Sequence, residues 1–112
     1  YAAGSAIVDA GVRSDGVHLI VDGQVEVSQT RRGGVVPLFS FGPGESVGEL
    51  SALTDGPATS TCTARTDVRT WLLPTAVLAE LLDRHPRVAV GLLRMISRRL
   101  VLTTQLVGGT DR

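Results

Sequence analysis

Hydrophobic and polar residues alternate with a period close to two through the first two thirds of the chain. Glycine interrupts this alternation repeatedly until about residue 73, which is typical of short β-strands joined by tight turns. The pattern predicts strands at 17–21, 35–41, 59–64 and 68–73. Several short strands at this spacing indicate a roll, a barrel or a sandwich.

Turn residues predict how these strands are connected. Asp22-Gly23 suits a two-residue hairpin turn, after which Val25 and Val27 alternate with polar residues on a returning strand. Arg-Arg-Gly-Gly at 31–34 predicts a second turn, and Pro37 indicates an edge or a bulge in the strand that follows. We expect the strands at 59–64 and 68–73 to form a last pair, joined by a polar corner at 65–67.

The period changes to that of a helix at Pro74. Thr75 can cap a first helix, which His85-Pro86 interrupts. A second helix is predicted at 87–107, ended by Gly108-Gly109. The apolar stripe of this second helix is broad, so one of its faces is a candidate for a homodimer contact, and burial of that face within a larger parent protein is equally compatible.

Length and composition favour one module. The 112 residues are enough for one hydrophobic core and too few for two ordinary domains. We therefore expect one domain over 1–112, with a β-roll at 1–73 and C-terminal helices at 75–107. Because the chain begins at Tyr1 and ends in a glycine-rich run, we expect it to be a fragment of a longer protein.

The charge balance disfavours several partners and compartments. Eleven arginines oppose eleven acidic residues, so no net charge attracts nucleic acid or an anionic membrane. The basic cluster of Arg94, Arg98 and Arg99 is expected to be a solvated helix face. Cys62, the single cysteine, is expected to be a small buried core residue. A cytoplasmic location, or the cytoplasmic part of a membrane protein, follows as the expectation.

The segment at 44–61 carries the candidate chemistry. A short helix between strands exposes unpaired amide N–H groups at its start, which favour an anion. Gly48 allows a close backbone approach there, and the carboxylate of Glu49 can accept hydrogen bonds from hydroxyl groups. The sequence therefore predicts a site for a small anionic ligand that carries hydroxyl groups.

This segment resembles the phosphate-binding cassette of cyclic nucleotide-binding domains, the effector domain of catabolite activator proteins. In that family, a Gly-Glu-Leu-small run opens a short helix, and a Pro-Arg-small-small-Thr run closes it. The resemblance extends to the opening strand at 3–7, to turn residues at Gly11, Asp15 and Gly23, and to the run at 96–100. It implies a mainly β fold: a double-stranded β-helix, or jelly-roll-like β-roll, with a short cassette helix and two C-terminal α-helices.

The resemblance also implies a function and a site. It implies a regulatory module that binds cAMP or cGMP and signals through the C-terminal helices to an effector domain outside this chain. Glu49 would bind the ribose 2′-hydroxyl, the neighbouring residues would surround the cyclic phosphate, and Thr61 is a weaker candidate for contacting the base. The implied ligand-binding residues are Gly48, Glu49, Leu50, Ser51, Ala58, Thr59, Ser60 and Thr61.

One position departs from the family pattern. Ala58 stands where the family has an arginine that pairs with the phosphate. A charge-assisted contact of this kind is worth about 1.5–3 kcal/mol, which corresponds to roughly a tenfold to hundredfold loss of affinity. One alternative is that Arg65 reaches in from a neighbouring strand.

The sequence fits two enzyme classes less well than a cyclic nucleotide-binding domain, and it leaves one alternative without enzymatic activity. A cupin-like metalloenzyme needs clustered ligands, but His18 and His85 lie far apart on different element types, and His18 is expected to be structural. The serines lack a suitably placed histidine, so no enzyme, metal or cofactor is expected. The remaining alternative is a degenerate domain that binds no nucleotide and serves for dimerisation or docking, in a patatin-like esterase or a transporter.

Overall fold

The strands of this chain are distributed over two antiparallel sheets. The computed structural model describes residues 1–110, and it describes the side chains of residues 1–98. The strands are β1 (Ala6–Val8), β2 (Gly16–Asp22), β3 (Val25–Arg31), β4 (Gly34–Phe41), β5 (Ser46–Val47), β6 (Thr61–Ala64) and β7 (Arg69–Pro74). The helices are α1 (Glu49–Thr54), α2 (Thr75–Arg84) and α3 (Pro86–Thr110). One sheet has the order β1-β6-β3-β4, and the other has the order β5-β2-β7.

Both sheets contribute side chains to one core. Ile20 and Val47 from the three-stranded sheet pack with Val25, Phe41 and Ala64 from the four-stranded sheet. The core is mostly aliphatic, as the low aromatic content predicts. Two antiparallel sheets around a shared core confirm the predicted mainly β roll.

Two predicted strand pairings are wrong for one reason. β2 pairs with β5 and β7 and not with β3, while β6 pairs with β1 and β3 and not with β7. Gly23, at a φ of 95°, lies so close to the corner after β6 that a Cβ would be 2.3 Å from the carbonyl oxygen of Asp67. Each of these two turns therefore carries the chain from one sheet to the other. A local turn sequence indicates that the chain reverses direction, but it does not indicate whether the next strand lies in the same sheet. Here the next strand lies in the sheet on the other side of the core, so the two strands are not hydrogen-bonded to each other.

The turn between β3 and β4 is confirmed. Arg31 pairs with Gly34, and β4 is an edge strand of the four-stranded sheet. The register shifts by one residue within this pair, because Val27 is opposite Phe39 while Ser28 is opposite Pro37. Pro37 thus lies on an edge strand beside a bulge, as its sequence position predicts.

The C-terminal helices match the prediction except at the end. His85 separates α2 from α3, but α3 continues through Gly108 and Gly109 to Thr110 and does not stop at the first glycine. Glycine in a helix costs about 1 kcal/mol relative to alanine, which weakens a helix without necessarily ending it. Arg94 and Arg98 are exposed, whereas the side chain of Arg99 lies outside the described residues, as does part of the predicted dimer face.

The chain divides into two compact units. The first is Tyr1–Leu78, which contains both sheets, α1 and the first turn of α2, and the second begins at Ala79. Within the part of the chain that the structure describes, no helix has the length and apolar character needed to cross a membrane.

Candidate functional site

The helix of the cassette, α1, follows a glycine that no other residue can replace without strain. Gly48 precedes α1 and adopts a left-handed conformation with a φ of 88°. A Cβ at this position would lie 2.7 Å from the carbonyl oxygen of Gly16 and 2.9 Å from Oγ of Ser14. Only glycine allows the cassette backbone to approach β2 this closely.

Glu49 is the first residue of α1, and its side chain is buried. Its relative exposure is 2%, although charged residues are rarely buried to this degree in proteins. The start of a helix is a favourable position for a carboxylate because the helix dipole is positive there. The structure therefore places this carboxylate within the first unit and away from bulk water.

The next two residues of the cassette point in different directions. Leu50 is exposed, whereas Ser51 is 4% exposed. The Ser51 hydroxyl donates a hydrogen bond to the carbonyl oxygen of Gly56 and accepts one from the amide of Ser14 at 2.9 Å. Both hydrogen bonds are thus made within the protein. One joins α1 to the segment that follows it, and the other joins α1 to the loop between β1 and β2.

The closing segment of the cassette, residues 57–61, runs beside the loop between β1 and β2. The amide of Ala58 donates to the carbonyl oxygen of Val12 at 2.9 Å, and the Ala58 carbonyl accepts from the amide of Gly11 at 2.8 Å. Oγ1 of Thr61 accepts a hydrogen bond from the amide of Ala10 at 3.2 Å. These hydrogen bonds hold the closing segment against that loop. The strand predicted at 59–64 begins only at Thr61, so Thr59, which is exposed, and Ser60, which is half-buried, lie before β6.

Ala58 is partly buried and packs against the hydrophobic core. The basic residue considered as a replacement for the family arginine is engaged elsewhere, because Nη1 of Arg65 is 2.6 Å from Oε2 of Glu26. A second arginine, Arg13, lies closer to the cassette in space and pairs with Asp55 at 3.0 Å on an exposed surface. Both arginine side chains are therefore exposed, and each already forms an ion pair with a carboxylate.

A family model for the cyclic nucleotide-binding domain matches residues 1–85, which is 85 of the 112 residues. The chain belongs to the cyclic nucleotide-binding domain family. The domain is of a regulatory type, and the cassette at 44–61 lies within the matched residues. The predicted fold, a β-roll of the catabolite activator type, is confirmed by the same match and by structural similarity.

Solved and curated proteins of different kinds are similar to this cyclic nucleotide-binding domain. The crystal structure of Thermus thermophilus catabolite activator protein has a TM-score of 0.88 and 28% identity, and the match covers 99% of this chain and 53% of that one. A CRP-like cAMP-activated global transcriptional regulator of Mycobacterium tuberculosis is 31% identical over 87% of this chain and 44% of its own length. Lysophospholipase NTE1 of Pyricularia oryzae is 28% identical over 88% of this chain.

The domain spans only part of each of these relatives. It matches 7% of the lysophospholipase and 44% of the transcriptional regulator. These related proteins therefore contain a comparable domain together with additional regions. The activity of any whole protein that contains this domain is a separate question from the chemistry of its cassette.

Two residues outside the cassette are structural, as expected from the sequence. His18 has a relative exposure of 0%, and its ring nitrogens contact Oδ1 of Asp15 at 2.9 Å and Oγ1 of Thr70 at 3.2 Å. Cys62 lies in the core, where burial raises the pKa of its thiol to about 12. In residues 1–98, no group of three or more His, Cys, Asp or Glu side chains is arranged to hold a metal ion.

Sequence reasoning missed the residues that support the cassette from outside. Arg13 contacts Asp55, and Ser14 contacts Ser51, across sequence separations of 42 and 37 residues. The sequence indicates Asp15 only as a turn residue. The only local signal was the polar Arg-Ser-Asp sequence beside a glycine, which is equally typical of an ordinary surface turn.

Proposed function

We propose that this domain is a ligand-sensing module that binds a cyclic nucleotide, cAMP or cGMP, in the β-roll. In this proposal the chain has no catalytic role, needs no cofactor or metal, and signals through α2 and α3 to an effector domain outside it. The module acts in the cytoplasm or in the cytoplasmic part of a membrane protein. Neither nucleic acid nor a membrane is a partner of this chain alone.

The observation that carries the proposal is the burial of Glu49 directly after the left-handed Gly48. A carboxylate costs free energy to bury, so a buried one at the start of a helix suggests a role beyond solubility. The 2′-hydroxyl, which is the one free hydroxyl on the ribose of a cyclic nucleotide, is a suitable partner, because a carboxylate accepts hydrogen bonds and donates none. The cAMP-activated regulator of Mycobacterium tuberculosis, 31% identical to this chain, supports a cyclic nucleotide as the ligand.

The remaining predicted residues would hold the phosphate. Backbone amides at Gly48 and Leu50 are near the start of α1, where anions are favoured, and Thr59 and Ser60 lie in the segment that closes the cassette just before β6. Ala58 supplies no charge. We therefore propose that phosphate binding relies on amide and hydroxyl donors and is roughly tenfold to hundredfold weaker than with an arginine.

Titration of the isotope-labelled domain with cAMP and with cGMP tests the proposal. We expect amide signals of residues 48–61 to shift on addition of ligand, and Glu49→Gln to weaken binding by about tenfold or more because the ribose loses a charged acceptor. Glu45→Gln is the matched control, because Glu45 is exposed and accepts a hydrogen bond from the amide of Gly42. Absence of any response at millimolar ligand would reject the sensor function.

A second function is favoured by the packing of Ala58. Because this side chain contacts the core, the domain can also be complete without nucleotide and serve as a dimerisation or docking module. The similarity to lysophospholipase NTE1 supports a patatin-like esterase as its context, and a transporter is the other context proposed. Sedimentation analysis without ligand tests this function: a homodimer that Leu93→Glu on α3 disrupts supports a dimer contact through residues 87–107, whereas a monomer at all concentrations argues against it.

A further inference from the structure

Two consecutive residues between β1 and β2, Ser14 and Asp15, contact both the cassette and the start of α2. On the cassette side, the amide of Ser14 donates to Oγ of Ser51 at 2.9 Å. Ser51 lies in the first turn of α1 and also bonds to Gly56, beyond the end of α1. Ser14 therefore contacts a residue in the first turn of α1 whose side chain also bonds to the segment just after α1.

On the other side, the carbonyl oxygen of Asp15 accepts a hydrogen bond from the amide of Thr75 at 3.2 Å. Thr75 is the first residue of α2, and its amide belongs to the group of helix-start amides that have no partner within the helix. This bond therefore helps to determine where α2 begins. Thr75 and Asp15 both lie in the first compact unit, Tyr1–Leu78.

The position of Asp15 is fixed from two directions. Its carboxylate oxygen Oδ1 lies 2.9 Å from Nε2 of the buried His18. The next residue, Gly16, pairs with Pro74, and a Cβ on Gly16 would lie only 2.0 Å from the carbonyl oxygen of Leu73. The segment therefore has little space to move independently of the end of β7. Close-packed interiors transmit displacements of this kind.

We propose that Ser14 and Asp15 are positioning residues that couple the cassette to the first turn of α2. A change in α1 moves Ser51, which moves Ser14 through one hydrogen bond, and the adjacent Asp15 carbonyl transmits the change to Thr75. The regulatory meaning of this coupling rests on the proposed function, but the coupling itself is a property of the domain without ligand. The first test therefore uses the ligand-free chain.

The test compares amide chemical shifts of the full chain and of Ser51→Ala, which removes the acceptor for the Ser14 amide. We expect the amide signals of residues 75–78 to shift. Thr54→Ala is the matched control, because it also removes a hydroxyl from α1, but that hydroxyl bonds only to the carbonyl oxygen of Leu50 on an exposed surface. We expect Thr54→Ala to leave residues 75–78 unchanged.

The second variant removes the bond at the other end. Thr75→Pro eliminates the amide donor, and proline is well tolerated in the first position of a helix. We expect the signals of residues 76–78 to lose their response to Ser51→Ala in the Thr75→Pro background, while Thr75→Ala, which keeps the amide, preserves that response. Because coupling is reciprocal, Thr75→Pro alone should also shift the signals of Ser51 and Gly56.

The amide signals of the core residues Val25 and Phe41 show whether Ser51→Ala is folded. If it is not, the effect of Thr75→Pro on the signals of Ser51 and Gly56 still tests the coupling. Unchanged signals at 75–78 in folded Ser51→Ala, or the same response in Thr75→Pro as in the parent chain, would overturn the coupling. Titration with cAMP is the separate arm. If cAMP changes no amide signal but the variants still show the coupling, only nucleotide sensing is rejected. If cAMP shifts the amide signals of the cassette but not those of residues 76–78, only the coupling to α2 is rejected.

Discussion

The carbonyl oxygen of Gly16 occupies the space beside Gly48 where any other residue would place its Cβ, at a distance of 2.7 Å. Gly48→Ala therefore combines a strained left-handed conformation, which costs about 1–2 kcal/mol, with an overlap against backbone that costs about 1–3 kcal/mol more. We expect the free energy of unfolding to fall by the sum of these, as measured by urea denaturation.

Gly44 provides the matched control for this prediction. It has the same φ of 88°, but a Cβ there would meet nothing within 4 Å. Gly44→Ala should therefore show only the conformational cost of about 1–2 kcal/mol. Equal losses in the two variants would show that the close approach to Gly16 contributes nothing to stability.

Restoring the family arginine should restore affinity for a cyclic phosphate. We expect Ala58→Arg to tighten binding of cAMP or cGMP by roughly tenfold to hundredfold in calorimetric titration, because it adds a charge-assisted contact. Ala58→Met extends the side chain without adding a charge, so it separates the effect of charge from that of size. An Ala58→Arg variant that stays folded and binds no more tightly than the parent chain counts against a phosphate site at this position.

His18 should contribute to stability through both of its ring nitrogens. His18→Phe keeps a planar ring near Tyr1, whose ring centroid lies 5.9 Å away, but leaves Asp15 and Thr70 without these contacts. We expect a loss of about 1–3 kcal/mol in the free energy of unfolding. His85→Phe alters the exposed histidine between α2 and α3 and should change stability by less than about 0.5 kcal/mol. A His18→Phe variant as stable as the parent would show that burial of the ring alone accounts for this position.

Cys62 should be chemically inert in the folded domain. Burial raises the pKa of its thiol to about 12, so at pH 8 roughly one molecule in ten thousand carries the reactive thiolate. We expect alkylation by iodoacetamide to be about a thousandfold slower in buffer than in denaturant, where the thiol has its ordinary pKa near 8.5. Rapid modification of the native protein would indicate frequent opening of the roll around β6.

The sequence was a good guide to individual strands and a poor guide to their pairing. The strand predicted at 17–21 is found at Gly16–Asp22, and the turn at 31–34 joins a true hairpin. Periodicity reports which side of a strand is buried, and this depends only on nearby residues. Pairing depends on which strands share a sheet, and Asp22-Gly23 has the same local sequence whether the chain returns beside β2 or crosses to the other sheet.

The candidate site shows a similar division. Gly48 and Glu49 were identified from a short motif, because the cassette is continuous in sequence. The contacts that hold the cassette come from Arg13 and Ser14, more than thirty residues earlier, and no local pattern distinguishes them from ordinary turn residues. The role of Ser51 within the protein was likewise invisible, since its hydroxyl is as suitable for a ligand as for Ser14.

The bulge at the outer edge of the four-stranded sheet has a consequence for behaviour in solution. Pro37 has no amide hydrogen, and the shift in register between Phe39 and Pro37 breaks the regular spacing of hydrogen-bonding groups along β4. A second molecule therefore finds no continuous edge along β4 on which to extend the four-stranded sheet. We expect this arrangement to oppose association through β4 of a small, valine-rich domain of zero formal net charge at high concentration.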